Sequence, residues 1–368
     1  MVRTERFDDL DADDLAPAPI ETARTIPAAW CVEPRFLELD RAVMAASWQP
    51  VGALEALERT GALAATVAGT PVVATLGAEL GLRAFHGVCR HRGGPLAPKR
   101  GVPGVLQCRY HGWTYRPDGR LLGAPEVDVE AFGERRPCLP RAAVEEWEGH
   151  VFVCAAAAPE SAPRPLSVRL DGLAKRVGKP PLAQLRFARR VEYDVRCNWK
   201  VYVDNYLEGY HVPHVHPELL ALYDFRRYRT ELHDDWSLQV GPLSDEANLY
   251  TAGGGEALYA FLFPNVMLNV LPGRLQTNLV VPTAADRCRV VFEYYYDDAA
   301  TEAGRARAEK DHEFSDLVQQ QDVEICERVQ EGLASGSYSR GTFSPAAESG
   351  VHHFQQALKA AYRRILGG

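Results

Sequence analysis

The sequence predicts an α+β fold with antiparallel sheets, and three observations carry that reading. Short apolar segments separated by Gly and Pro follow residue 48, longer alternating strands come after them, and two helical periods close the chain. An Ala/Pro-rich run over 155–165 has the composition of a linker and separates the two groups of strands. The organisation expected is an N-terminal arm and helix over 1–44, a small all-β domain over 45–157 and a second domain over 158–368. A chain of 368 residues is long enough for two domains with cores of their own.

In order along the chain, an Asp- and Pro-rich arm leads into a short helical period from Pro34. Strands are then expected at 63–67, 72–76, 82–85, 105–108, 121–122 and 151–154. Residues 191–197 alternate and lead into a helical stretch that holds three histidines. A second group of strands is expected at 236–240, 257–263, 266–271, 275–281 and 288–296, the last with Cys288, Val290, Phe292, Tyr294 and Tyr296 on one face. Helices are expected over about 301–334 and 345–366.

Composition narrows the function. A net charge of -8 with no Lys/Arg cluster argues against a nucleic-acid partner. No apolar run approaches the roughly 18 residues of a membrane span, and the N-terminus is too acidic for a targeting peptide, so a cytoplasmic protein is expected. Eight cysteines in a chain this long do not suggest a disulfide scaffold. Cys31, Cys138, Cys154, Cys197, Cys288 and Cys326 lack metal-ligand spacing and are expected to be small buried side chains.

Two segments carry the chemistry. The first reads Cys89-Arg-His91, then sixteen residues, then Cys108-Arg-Tyr-His111. Two thiolates and two imidazoles can hold a [2Fe-2S] cluster with both histidines on one iron, and Gly93, Gly94 and Pro95 suit a close backbone approach. Structural zinc accepts the same donors. Zinc ribbons usually place two Cys on one loop, whereas each loop here mixes a Cys with a His, so the cluster is favoured.

The second segment, 204–217, holds Asp204, Glu208, His211, His214 and His216, three of the chain's 11 histidines within six positions. On a helix Glu208 and His211 share a face, while His211 and His216 diverge by about 140°. Pro213 is expected to break the helix between them, and spacing leaves His214 and His216 both open as the second ligand. Asp322 falls on an apolar stripe made by Phe314, Leu317, Val318, Ile325, Val329 and Leu333. A carboxylate facing a core needs a metal or a cation, and Arg196 or Arg328 is the alternative partner. Two imidazoles and one carboxylate with open positions suit non-haem Fe(II). The tyrosines and phenylalanines at 202, 206, 210, 250, 261 and 263 are candidate pocket walls, and Asn205, Trp199 and Lys200 are expected to pack or hydrogen-bond.

Taken together, these motifs and their order resemble the catalytic α subunits of the Rieske non-haem iron oxygenases over most of the chain. The resemblance implies that Cys89, His91, Cys108 and His111 bind the Rieske cluster in a small all-β domain. It implies that His211, His216 and Asp322 bind the mononuclear iron in a helix-grip catalytic domain, with His214 a neighbour. Glu208 looks like the carboxylate that bridges the cluster of one subunit to the iron of the next. The Glu within Asp-Asn-Tyr-Leu-Glu-Gly-Tyr-His-Val-Pro is more similar to the choline, betaine and carnitine oxygenase branch than to ring hydroxylases, many of which carry Asp there. Gly87 and Gln321 depart from the residues frequent at those places, Asn and Glu.

The function implied is a terminal oxygenase component that takes O2, and electrons from a separate NAD(P)H-dependent flavin or iron-sulfur reductase. It would hydroxylate or demethylate a small molecule, a quaternary ammonium compound first and an aromatic substrate second, as a homotrimer. An electron carrier without oxygenase activity is the alternative of another class, and Asp322 speaks against it.

Overall fold

The computed structural model describes residues 2, 4–177, 180–246, 248–251 and 254–367. It is α+β and divides into two compact units, Met44–Arg176 on one hand and Met1–Val43 with Val177–Gly368 on the other. Among the described residues no helix is long and apolar enough to cross a membrane.

The first unit is built from ten short strands. They are β1 (Gln49–Ala53), β2 (Ala62–Val67), β3 (Thr70–Gly77), β4 (Gly81–His86), β5 (Leu96–Pro98), β6 (Leu106–Cys108), β7 (Thr114–Tyr115), β8 (Leu121–Gly123), β9 (Arg141–Trp147) and β10 (His150–Cys154). Six form an antiparallel sheet in the order β1-β10-β9-β4-β3-β2, and the other four a small sheet in the order β5-β6-β7-β8. Val73, Phe85, Leu96, Leu106, Tyr115 and Leu121 bury together with Cys89 and Cys108 in one cluster. The sulfur donors of the sequence motif therefore sit on an apolar floor. β1, β5, β7 and β9 went unanticipated; β5 and β7 are too short for alternation to register.

The second unit is one seven-stranded antiparallel sheet with helices. Its strands are β11 (Arg186–Val195), β12 (Arg229–Leu232), β13 (Trp236–Pro242), β14 (Glu256–Leu262), β15 (Val266–Leu271), β16 (Arg274–Ala284) and β17 (Arg287–Tyr296), in the order β11-β17-β16-β15-β14-β13-β12. Arg274, Gln276 and Asn278 alternate along β16 and so share a face, and their register partners Tyr296, Tyr294 and Phe292 share the matching face of β17. Arg274, Gln276 and Asn278 are all buried. Buried polar side chains in a row are the informative departure from an apolar core.

The long helix Glu302–Ala334 lies over that face. Its start is capped by Thr301, whose hydroxyl accepts from Gly304 N at 2.9 Å. The apolar stripe read from the sequence is not its buried side: Leu317 and Val329 are exposed. The buried residues are Gly304, Ala308, Asp311, His312, Gln319, Cys326 and Gln330, a mostly polar set at steps of one, three, four and seven. Polar side chains can line this face because the sheet offers partners. Tyr296 and Arg274 donate to Asp311, and Gln330 accepts from Asn198 N.

Candidate active site

Two loops of the first unit share one construction. In the first, Cys89 N donates to Gly94 O at 2.9 Å and Gly93 N to Cys89 O at 3.0 Å; in the second, Cys108 N donates to Trp113 O at 2.8 Å and Gly112 N to Cys108 O at 3.0 Å. Each loop thus closes on its own cysteine. The fifth residue of each is a glycine at positive φ, Gly93 at 74° and Gly112 at 72°, where a side chain would strain the turn. The loops also approach closely: a Cβ on Gly94 would stand 2.8 Å from Cys108 Sγ.

The two thiols are buried, His91 is exposed and His111 half-buried. The imidazole rings are 4.8 Å apart between centroids, and His91 stacks on Trp113 at 4.7 Å. The donors thus form a buried sulfur pair and an outer nitrogen pair. Among the described residues, Cys89, Cys108, His91 and His111 do not form a group whose ligand atoms meet around one ion, as a tetrahedral zinc site requires. Two pairs suit two irons.

Tyr115, which sequence reading missed, accepts from Arg90 N at 2.9 Å and lies 3.2 Å from Cys89 Sγ, so its hydroxyl proton is free to point at the sulfur. Burial pushes both the Cys89 thiol and the Tyr115 hydroxyl up from their usual values.

In the second unit the histidine segment is not one helix. The helix Trp199–Tyr206 stops before Glu208, and two four-residue helices, Val212–Val215 and Pro217–Leu220, follow with His216 between them at φ -125°. Pro213 therefore opens a short helix and does not break a long one, as its missing N–H and fixed φ favour. The break at Leu207–His211 and the non-helical His216 bring the end residues together. Their rings lie 5.1 Å apart, while His214 is exposed.

Asp322 completes the group: its Oδ1 is 3.0 Å from His216 Nε2 and 3.7 Å from His211 Nε2. One ligand atom from each of the three lies within 4.8 Å of the others. Arg196 pairs with Glu327 and Arg328 with Glu331, so neither neutralises Asp322.

The other nitrogen of each ring is engaged. His211 Nδ1 meets Glu208 Oε1 at 2.6 Å, and His216 Nδ1 meets Gln321 Oε1 at 2.7 Å. A hydrogen bond at Nδ1 leaves the Nε2 lone pair for a metal, so the donor set fits Fe(II). Gln321, noted in the sequence only as a departure, thus orients a histidine as Glu208 does. Glu208 is itself tied to Tyr210 N and to His211 N. Asn205 donates to Asp322 Oδ1 at 2.7 Å. Burial lowers His216, yet its bond to Asp322 outweighs that and its pKa is raised overall.

The helix carrying Asn205 is pinned by Lys200, whose Nζ is buried 2.7 Å from Asp40 Oδ2. Cys138 is exposed, contrary to expectation, and the other five non-motif cysteines are buried.

The three donors open into a cavity with two kinds of wall. Tyr206, Tyr223, Tyr228 and Tyr259 form one, with ring centroids 6.4 Å apart in successive edge-to-face pairs. Gln276, Asn278, Ser315 and Gln319, from β16 and the long helix, form the other. Of the candidate wall residues, Tyr202, Tyr206 and Tyr250 line this space; Tyr210 is exposed, and Phe261 and Phe263 pack on Phe354 instead. Tyr223 and Tyr228 follow His216 by seven and twelve positions and Tyr259 stands on β14, and no spacing in the sequence marks them as wall.

Donor pairs suited to a two-iron cluster, and two imidazoles with a carboxylate beside a substrate-sized cavity, define a two-centre iron oxygenase. Family models agree: the Rieske [2Fe-2S] domain matches residues 47–135, and the ring hydroxylating alpha subunit (catalytic domain) matches residues 182–364. The chain is 34% identical over 356 residues to the chloroplastic choline monooxygenase of Arabidopsis thaliana, covering 92% of this chain and 83% of that one. It is 29% identical over 364 residues to the carnitine monooxygenase oxygenase subunit of Escherichia coli (strain K12), covering 93% and 95%.

The solved structure of a quaternary ammonium Rieske monooxygenase matches with a TM-score of 0.81 at 26% identity, covering 94% of this chain and 99% of that one. Naphthalene 1,2-dioxygenase, at 17% identity and a TM-score of 0.68 over 95% of this chain and 97% of that one, shares the fold. The chain belongs to the Rieske non-haem iron oxygenases. It is an enzyme with a [2Fe-2S] cluster and a mononuclear iron as cofactors, acting on a small molecule with O2 and electrons from a separate reductase. The match over 182–364 removes the reading as an electron carrier alone.

Proposed function

We propose that this chain is the terminal oxygenase that hydroxylates or oxidatively demethylates a quaternary ammonium compound of the choline, betaine or carnitine type. The observation that carries this reading is the wall of four tyrosines beside the His211–His216–Asp322 group. A permanent cation is drawn to aromatic faces by about 0.5–2 kcal/mol each and needs no hydrogen-bond donor or acceptor. The relatives named above, which oxidise choline and carnitine, support it.

In this reading Cys89, His91, Cys108 and His111 hold the cluster, and His211, His216 and Asp322 hold Fe(II). When bound, the two groups supply single electrons and dioxygen activation. The chain's own residues do the rest. Glu208 and Gln321 fix the two imidazoles, Asn205 orients Asp322, and the tyrosines seat the cation with its methyl or methylene groups towards the three donors.

Glu208 has a further role in the proposal, joining His211 to His111 of a neighbouring copy in a head-to-tail homotrimer. Inter-subunit electron transfer is attributed to the matched quaternary ammonium monooxygenase, which supports this arrangement. We place the cluster domain at 45–157, the iron domain at 158–368 behind the arm 1–44, and the enzyme in the cytoplasm, where the six cysteines outside the cluster loops persist as thiols.

The test is turnover under 18O2 with a reductase, across choline, glycine betaine, carnitine and a set of aromatic acids. The expected result is product formation from a quaternary ammonium compound: label in a hydroxylated product, or in the aldehyde released by demethylation. Label in an aromatic acid, with no quaternary ammonium compound consumed, overturns the proposal.

A further inference from the structure

Gln319 lies on the long helix three residues before Asp322, lines the same cavity and is almost wholly buried. Its Oε1 accepts from the Tyr202 hydroxyl at 2.6 Å, while its Nε2 is buried without a partner. As placed, the end that the Tyr202 hydroxyl meets is the acceptor and the end left unmet is the donor; turned end for end, the amide would leave Oε1 unmet, an acceptor that no carboxylate satisfies.

Three of the neighbouring carboxamides have each used a donor. Asn205 donates to Asp322, Gln239 to Tyr206 O, and Gln276 to Asn278 Oδ1. Among the described residues that line this cavity, Gln319 is the one whose carboxamide nitrogen is both buried and unpartnered. A buried donor with no acceptor has lost its water and gained nothing in return, and a bound ligand offering an oxygen removes that cost.

We infer that Gln319 is a specificity-determining residue, with Nε2 donating to an oxygen on the substrate while the quaternary nitrogen rests on the tyrosines. This rests on the quaternary ammonium reading above and deepens it: the substrate carries a hydroxyl or carboxylate in addition to its cation. A neutral amide donor serves either oxygen. The two walls of the cavity then read two different groups of one molecule.

The experiment measures binding to the anaerobic holoenzyme by calorimetry for three ligands. Choline carries a hydroxyl, glycine betaine a carboxylate, and n-propyltrimethylammonium puts a methyl where choline has its hydroxyl. The wild type is expected to favour choline or glycine betaine over n-propyltrimethylammonium by about tenfold. Gln319→Met is expected to bring that ratio to within about twofold of one, chiefly by weakening the oxygen-bearing ligand.

A merely structural role, through the orphaned Tyr202 hydroxyl, would weaken all three ligands together and leave the ratio intact. Gln319→Glu keeps side-chain length and an acceptor for Tyr202, and is expected to penalise glycine betaine more than choline. Equal wild-type affinity for the three, or a ratio that survives Gln319→Met, overturns the inference and leaves the proposed function standing. Binding of none of the three, nor of carnitine, overturns both.

Discussion

Around Cys89 and Cys108, donors come from two loops of six residues, each closed by hydrogen bonds between its own backbone groups. The group His211–His216–Asp322 draws on segments more than a hundred residues apart, and its imidazoles are steadied by side chains, Glu208 and Gln321. The difference shows how each centre depends on the fold. A locally closed loop needs a floor to sit on, whereas a ligand on a distant helix needs the sheet, the helix and their packing to be right together.

The comparison breaks most sharply at Asp322. Asp322→Ala should release the mononuclear iron, so that iron per chain falls from three to two while the cluster's visible absorption stays; turnover should be lost. Loss of the cluster as well would mean that the two centres are not independent. Glu208→Gln should keep both kinds of iron and lower turnover by about a hundredfold, since it weakens the contact that orients His211. Native turnover would remove Glu208 from any path between centres.

A smaller effect separates the two sites by stability. The Arg274–Asp311 pair, Nε to Oδ2 at 2.5 Å, links β16 to the helix that carries Asp322. Asp311→Asn strands a buried guanidinium and should cost about 3–5 kcal/mol in denaturant unfolding of the catalytic unit. Burial opposes ionisation of Asp311, but Arg274 and the Tyr250 and Tyr296 hydroxyls prevail and lower its pKa below 3.8. Its contribution is therefore fully present above pH 3.8 and is lost as pH falls through the lower folded value. In Asp311→Asn this acid-dependent part of the stability should vanish.

The smallest effect sharpens the cluster side. Tyr115→Phe removes a hydroxyl 3.2 Å from Cys89 Sγ. The cluster should still assemble, with a reduction potential lower by about 20–60 mV in voltammetry, one hydrogen bond's worth for a one-electron couple. An unchanged potential would mean that the hydroxyl does not point at the sulfur.

Legibility followed the same division. Cys89-Arg-His91 and Cys108-Arg-Tyr-His111 were readable because ligand order and glycine position are local. Even the matching glycine four residues after each cysteine, Gly93 and Gly112, is visible once the loops are aligned on their cysteines. The core strands β3, β14, β15 and β17 were readable from runs and alternation. The apolar stripe that marks Asp322 in the sequence is borne out in part: Phe314 and Val318 line the cavity with it, while Leu317 and Val329 are exposed. What identifies it is position, beside Asn205 and His216 on a helix face filled with polar side chains.

The choice of His216 over His214, the tyrosine wall and the open nitrogen of Gln319 depend on pairings between distant strands and one helix. Residue types and their spacing determined which metals this chain can hold, because donor chemistry and loop closure act over a few residues. Only the tertiary structure decided which imidazole faces the carboxylate and what lines the space beside it. Those choices are made by side chains brought within a few ångströms by register and packing, across a hundred residues of chain.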